Sequence, residues 1–168
     1  GGARSGKSRA ATRFADGDDA SVTFVATAEE GDAEMAARIA RHRDERPSGW
    51  AVVEAPVAVA DALAGVDAAA TVIVDCLSLW VTNQLHLDDE EILDAARRLV
   101  AAAASREALT IVVTNEVGDG IVPTNAVARR FRDVLGLVNQ VMADAADRAF
   151  LCVAGRLLPL ERPEDLGV

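Results

Sequence analysis

The first eight residues constrain this chain more than any other segment. They fit the pattern G-x-x-x-x-G-K-[ST] and run Gly1-Gly2-Ala3-Arg4-Ser5-Gly6-Lys7-Ser8. In such a loop, glycines let the backbone curl so that successive N–H groups converge on phosphate oxygens, while the lysine reaches the outer phosphates and the serine hydroxyl ligates Mg²⁺. The pattern therefore predicts a phosphate-binding loop. Since such a loop follows a strand, we also expect a short apolar strand before Gly1.

The lysine of this loop is unusual within the chain. Seventeen residues are Lys or Arg, and Lys7 is the only lysine among them. On an exposed surface the two cations are usually interchangeable, but a compact ammonium and a planar guanidinium are not equivalent at a tight site. The retention of lysine at this one position indicates a role in phosphate chemistry.

Composition narrows the class of protein. The 168 residues, of 17.6 kDa, suit a single domain covering 1–168. A net charge of −10 argues against non-specific nucleic-acid binding. No apolar stretch approaches the roughly 20 residues that a membrane-spanning helix needs. Cys76 and Cys152 each lie in an apolar run, which favours reduced thiols and a cytoplasmic location.

Apolar, β-branched runs alternate with helical patterns along the chain. The predicted strands cover 21–27, 50–54, 71–75, 109–114 and 148–154, and the predicted helices cover 8–16, 31–46, 57–63, 88–105 and 123–146. This alternation predicts an α/β fold with a mostly parallel sheet flanked by helices. Together with the phosphate loop, it indicates a three-layer α/β/α sheet of the P-loop NTPase (RecA-like) type. Ligands then bind at the carboxyl ends of the strands.

Three acidic residues follow predicted strands. Asp75 ends the run Thr-Val-Ile-Val-Asp, where an acid can steady Mg²⁺ or its water, or can instead cap a helix that begins near Leu77. Glu116 follows the next strand and either faces the site as a base or orienting group or is a solvated loop acid. Glu54 has the same ambiguity. The sequence alone leaves these alternatives open.

One of the two histidines lies in an arginine-rich helical pattern. His42 shares a helix face with apolar neighbours, so it could simply pack at the edge of the core. Its surroundings favour phosphate binding, and an imidazole there could attack phosphorus to form a phosphoramidate. His86 is instead expected in a surface loop. The arginines close to His42 are Arg38, Arg41, Arg43 and Arg46.

Five ordered blocks of sequence give the chain a family resemblance. They cover residues 1–9, 32–54, 75–83, 114–123 and 128–140. The chain resembles the bifunctional adenosylcobinamide kinase/adenosylcobinamide-phosphate guanylyltransferase family of cobalamin biosynthesis. The resemblance extends from Gly1 to about Leu160.

The resemblance implies two reactions at one site. ATP or GTP would phosphorylate adenosylcobinamide, and GTP would then guanylylate His42, whose GMP passes to the corrinoid phosphate. Lys7 would be catalytic, Ser8 and Asp75 would hold Mg²⁺, and a ring-shaped homotrimer would complete each site with a neighbouring subunit. The nucleotide-binding residues so implied are Gly1, Gly2, Ala3, Arg4, Ser5, Gly6, Lys7, Ser8, Ala26, Thr27, Ala28, Arg43, Asp44, Glu45, Arg46, Glu54 and Asp75.

Two other functions are compatible with the same residues. The chain could be a small-molecule kinase of this fold without nucleotidyl transfer, in which His42 only packs. Alternatively, it could be a regulatory module that binds nucleotide and changes conformation without turning over a metabolite. Both alternatives keep the phosphate loop but give His42 no chemical role.

Overall fold

Strands and helices alternate through most of the chain. The computed structural model describes residues 1–17, 21–29, 31, 47 and 49–167, so nearly all of the helix predicted over 31–46 lies outside the described residues. The described strands are β1 (Val22–Ala26), β2 (Ala51–Glu54), β3 (Thr71–Asp75), β4 (Thr110–Val113), β5 (Ala149–Val153) and β6 (Arg156–Leu160). The described α-helices are α1 (Lys7–Asp16), α2 (Val59–Gly65), α3 (Leu77–Asn83), α4 (Asp89–Ala104) and α5 (Ala126–Ala145), and a short 3-10 helix covers Pro163–Leu166.

Four of the strands form the predicted parallel sheet, in the order β2-β1-β3-β4. The strand register places Glu54, Ala26, Asp75 and Val113 side by side at the carboxyl edge. Parallel strands separated by helices put all their carboxyl ends at one edge, which is where ligands of such sheets bind. The residues predicted from strand ends therefore share this edge.

Helices cover both faces of the sheet, as the three-layer prediction requires. On one face, α1 packs Ala11 and Ala15 against Phe24 and Ile73. On the other face, Val25, Val72 and Val74 meet apolar side chains of α2, α3, α4 and α5. Continuous β-branched runs such as β3 suit a strand that is covered on both faces, because every side chain is then buried.

The end of the chain differs from the prediction. The run 148–154 was expected to be the last strand, yet β5 turns directly into β6 and pairs with it antiparallel. The two-residue turn Ala154-Gly155 has positive φ angles of 49° and 74°, which match the twist of a tight hairpin. The described residues thus contain a separate two-stranded sheet beside the parallel one.

Helix boundaries lie within two residues of the predicted ones, except at the start of α5. Helix α4 lies within its predicted range and begins with a capping box between Asp88 and Glu91. Helix α5 was expected from Pro123 but begins at Ala126, because the Asn125 side chain accepts a hydrogen bond from Ala128 N and caps it there. Helix α2 begins two residues later than predicted.

Candidate functional site

The glycine-rich loop runs directly into helix α1. Gly6 precedes the helix with φ 99°, a left-handed conformation that glycine adopts without strain, and Arg4 has φ 54°. The N-cap residue Gly6 provides no side-chain cap for α1, and no acidic residue lies in the first turn. The N–H groups and the dipole at the start of a helix favour negative charge there.

The Lys7 side chain folds back over this loop. Its Nζ donates a hydrogen bond to the carbonyl oxygen of Gly2 at 2.7 Å. The ammonium group is thereby held against the glycine-rich loop, and in phosphate sites of this kind the backbone N–H groups of that loop converge on the anion. Lys7 is half-buried, so a ligand seated in the loop could reach the ammonium.

Ser8 and Asp75 meet beneath the loop. Ser8 Oγ donates a hydrogen bond to Asp75 Oδ2 at 2.7 Å, although the two residues lie 67 positions apart. Asp75 does not cap helix α3, because the N-cap of that helix is Cys76 and makes no side-chain cap hydrogen bond. The Asp75 carboxylate faces the phosphate loop rather than capping the following helix.

The chemistry of this pair fits a hard divalent cation. Mg²⁺ prefers oxygen ligands and usually takes only one or two from the protein, with water and substrate phosphates supplying the rest. A hydroxyl and a carboxylate in direct contact at the start of α1 provide such a set. Within the part of the chain that the structure describes, no group of three or more His, Cys, Asp or Glu side chains could hold a metal without help from a substrate.

Buried hydrogen bonds hold the backbone just after Asp75. Thr27 Oγ1 donates to Cys76 O and accepts from Cys76 N, both at 2.8 Å, and Thr27 is fully buried. Asn83 Nδ2 donates to Thr27 O and to Pro56 O. These bonds tie the carboxyl ends of β1, β2 and β3 together, so they fix the backbone from which Asp75 projects.

Burial also determines the ionisation of the neighbouring thiol. Cys76 is 7% exposed, and burial together with the negative charge of Asp75 raises the pKa of its thiol. Hydrogen bonds from Ser78 and the start of α3 oppose this effect but do not overcome it. Cys76 therefore carries a proton at neutral pH, and like Cys152 it is a free, buried cysteine, as the sequence predicted.

The nucleotide-binding residues implied for β1 and β2 lie at the same edge as Asp75. Ala26 and Glu54 are register partners, and Ala55 N donates to Ala26 O at 2.8 Å. Glu54 is exposed and Ala28 is half-buried, whereas the Thr27 side chain is fully buried against Cys76. The Thr27 side chain thus fixes the backbone at this edge of the sheet through its hydrogen bonds to Cys76.

The loop after β4 also reaches the phosphate loop. Glu116 N donates to Gly1 O at 3.0 Å, and the Glu116 carboxylate accepts from Gly118 N at 2.6 Å. Asn139 of α5 holds this segment, since its Oδ1 accepts from Thr114 Oγ1 and its Nδ2 donates to Asn115 O. Glu116 itself is exposed.

Several predicted residues fall outside the described part of the chain. His42 and the run Arg43, Asp44, Glu45 and Arg46 all lie there. The structure therefore brings together the phosphate loop, Asp75, Ala26, Ala28 and Glu54, and it leaves the position of His42 as a prediction. His86 is described and is exposed, as expected of a surface loop.

Sequence reasoning missed the contact between the phosphate loop and the β5–β6 turn. Gly155 N donates to Ser5 O at 2.7 Å, and Cys152 Sγ lies 3.3 Å from the same oxygen. The signal available in the sequence was Gly155 itself, because a glycine between two apolar runs is typical of a tight hairpin. Pro159 obscured that signal, since proline in a run argues against a central strand.

No helix in the described residues is both long enough and apolar enough to cross a membrane.

Comparison with known proteins identifies the family. The family model for cobinamide kinase / cobinamide phosphate guanyltransferase matches residues 1–160. A relative from Pseudomonas aeruginosa, named bifunctional adenosylcobalamin biosynthesis protein CobP, is 42% identical over 163 residues, covering 96% of this chain and 94% of the relative. Proteins named bifunctional adenosylcobalamin biosynthesis protein CobU are 42% identical in Salmonella typhimurium and 39% identical in Escherichia coli, each over 92% of this chain and 93% of the relative.

These matches confirm the resemblance and the fold class predicted from the sequence. They support kinase and guanylyltransferase activities, and they favour a bifunctional enzyme over a kinase without nucleotidyl transfer or a regulatory module. The chain belongs to the cobinamide kinase / cobinamide phosphate guanyltransferase family.

Proposed function

We propose that this protein carries out two consecutive steps on adenosylcobinamide. In the first, a hydroxyl of adenosylcobinamide attacks the γ-phosphorus of ATP or GTP and releases the nucleoside diphosphate. In the second, GMP from GTP is transferred to the phosphorylated product, giving adenosylcobinamide-GDP and pyrophosphate. The observation that carries this proposal is the contact of Ser8 with Asp75 beneath the phosphate loop.

For the phosphoryl transfer we assign charge stabilisation to the loop and its lysine. Phosphoryl transfer is accelerated mainly by positioning and by electrostatic stabilisation of charge on the transferred group. Lys7 and the N-terminus of α1 are the cationic and dipolar groups at this place. Ser8 and Asp75 would hold Mg²⁺, which when bound neutralises charge on the phosphate oxygens.

For the guanylyl transfer we assign the nucleophile to His42. An imidazole nitrogen would attack the α-phosphorus of GTP, forming an N–P bond as pyrophosphate leaves. A phosphate oxygen of the corrinoid phosphate would then attack the same phosphorus, breaking the N–P bond and restoring the free histidine. Covalent catalysis of this kind divides one difficult displacement into two easier ones.

The remaining nucleotide contacts follow from the shared carboxyl edge. Ala26, Ala28 and Glu54 lie beside Asp75 at the ends of β1 and β2, within one or two strand spacings of it. We assign the nucleotide to this edge, with the phosphates in the loop 1–8 and with 43–46 contributing further contacts. The register of the strands supports this arrangement.

The proposal extends to assembly and location. We propose a homo-oligomer, a trimer by analogy with the family, working in the cytoplasm, where ATP and GTP are available. Exposed apolar side chains along the hairpin, among them Val153, Leu158 and Leu160, offer surface for contact between copies. Sedimentation equilibrium of the purified chain tests the trimer.

The guanylyl-histidine step is tested by labelling with GTP that carries ³²P at the α-position. The wild-type protein should acquire protein-bound label that is labile in acid and stable in alkali, as a phosphoramidate is. His42→Ala should acquire none. Because the chain has only two histidines, His86→Ala is a matched control that removes an exposed imidazole, and it should be labelled like the wild type.

Equal labelling of His42→Ala and the wild type would refute the histidine intermediate. Absence of label from every variant, with ATP still consumed in the presence of adenosylcobinamide, would leave only the kinase. Absence of both would overturn the proposed function as a whole.

A further inference from the structure

The β5–β6 turn contacts the phosphate loop directly through hydrogen bonds. Gly155 N donates a 2.7 Å hydrogen bond to Ser5 O, and the Cys152 thiol lies 3.3 Å from the same oxygen. The hairpin therefore places two donors on one carbonyl of the phosphate loop. Ser5 is 8% exposed, so little water competes for that carbonyl.

The direction of this carbonyl determines the direction of the next N–H group. A trans peptide unit is planar, and its C=O and N–H bonds point to opposite sides. When Ser5 C=O is held on the hairpin, the Gly6 N–H must point away from the hairpin. That N–H belongs to the glycine-rich loop whose N–H groups bind phosphate in this motif.

Both glycines also leave little room for a side chain. A Cβ on Gly6 would lie 3.1 Å from Gly155 Cα, which is closer than most Cβ contacts. A Cβ on Gly155 would lie 2.9 Å from a terminal nitrogen of Arg9, the exposed residue that follows Ser8. Gly155 has φ 74°, which other residues adopt only with strain. The turn and the loop thus pack backbone against backbone.

We propose that Gly155 is a positioning residue for nucleotide binding, holding the Ser5–Gly6 peptide so that the Gly6 N–H faces the bound phosphate. The inference rests on the proposed function, because it takes the loop as the nucleotide site. Gly155 contacts no substrate in this role and acts through the carbonyl of Ser5.

The chain contains a matched control for this proposal. Gly167 has φ 72°, nearly the same as Gly155, but a Cβ built on Gly167 meets nothing within 4 Å. Alanine at either position therefore introduces the same left-handed strain. Only alanine at Gly155 places this strain at the residue that donates to Ser5 O and also meets a terminal nitrogen of Arg9.

The test compares Gly155→Ala, Gly167→Ala and the wild type by titration with a fluorescent GTP analogue in the presence of Mg²⁺, with thermal unfolding measured alongside. Because relief of the left-handed strain moves the residue 155 N–H off Ser5 O, Gly155→Ala should raise the dissociation constant by up to about tenfold, the size of one well-aligned hydrogen bond, and should raise KM for the nucleotide more than it lowers kcat. Gly167→Ala should stay within about twofold of the wild type.

A second variant covers the case in which Gly155→Ala does not fold. Cys152→Ala removes the other donor to Ser5 O without any backbone strain and should weaken nucleotide binding in the same direction by a smaller factor. Equal affinity of the wild type, Gly155→Ala and Cys152→Ala would overturn the positioning role while leaving the proposed function intact. A wild-type protein that binds no nucleotide would overturn both.

Discussion

The carboxyl ends of β3 and β4 have similar sequences, but the acidic residues there have different exposure and different hydrogen-bond partners. Each strand is mostly apolar and has an acid at or near its carboxyl end: Asp75 is the last residue of β3, and Glu116 follows β4 by three residues. Asp75 is half-buried and accepts a hydrogen bond from Ser8 in the phosphate loop. Glu116 is exposed, and its carboxylate accepts a hydrogen bond from Gly118 N two residues away.

The difference lies in the structures that hold the two strand ends. The backbone after Asp75 is fixed by the fully buried Thr27, whose hydroxyl both donates to and accepts from Cys76. The backbone before Glu116 is held by Asn139, a half-buried residue of α5. The position of an acid at a strand end is therefore not enough to make it part of a site. Tertiary hydrogen bonds must also orient its carboxylate toward the other site residues.

The largest expected difference between the two ends is in catalysis. Asp75→Asn should lower kcat for phosphorylation of adenosylcobinamide by roughly 100-fold or more, because it removes a carboxylate charge from the proposed metal site. Glu116→Gln should change kcat by no more than about twofold, as expected for an exposed residue. Steady-state assays of ADP release measure both.

Circular dichroism and thermal unfolding of both variants serve as the control for folding. A larger loss from Glu116→Gln than from Asp75→Asn would reverse the comparison and would assign the catalytic base to the loop after β4.

The second difference is in stability. Thr27→Val keeps the shape of the side chain but leaves Cys76 N without its acceptor, so the free energy of unfolding should fall by about 1–3 kcal/mol. Thr114→Val removes a half-buried bond to Asn139 and should cost only about 1 kcal/mol. Urea titrations measure both values, and a Thr114→Val loss as large as that of Thr27→Val would contradict the proposed difference in rigidity.

The smallest expected difference appears at alkaline pH. Because burial raises the pKa of the Cys76 thiol, the folded protein keeps this proton above about pH 8.5, where an unfolded chain loses it. The unfolded state then binds fewer protons, so the free energy of unfolding should decrease as pH rises from that point.

Urea titrations between about pH 7 and pH 10 should show this decrease in the wild type and a shallower one in Cys76→Ala. An unchanged slope in Cys76→Ala would assign the alkaline sensitivity to other groups.

Local patterns in the sequence predicted much of the fold and part of the site. The β-branched run ending at Asp75 indicated a buried parallel strand, and the glycine pattern through Ser8 indicated the loop that meets it. Both signals arise from residues that are close together in sequence. Over such short distances, backbone conformation and burial directly restrict residue type and spacing.

The long-range contacts that orient these residues could not be predicted from local sequence patterns. Thr27 bonds Cys76 across 49 positions, and Gly155 bonds Ser5 across 150, so no local pattern records either pairing. The strand β6 was missed because Pro159 weakens its strand pattern, and its exposed side chains give no alternation between buried and solvated positions. Tertiary hydrogen bonds, rather than propensity, decide these features.

The bond from Lys7 Nζ to Gly2 O has a practical consequence for handling this protein. Because Lys7 is the only lysine among the 168 residues, every side-chain amine reaction is confined to the mouth of the phosphate loop. Coupling to a sensor chip, or acylation with a dye, at the Lys7 side chain would tether or block the molecule through that loop. Attachment through other side chains, such as engineered surface thiols, leaves the phosphate loop accessible to its substrates.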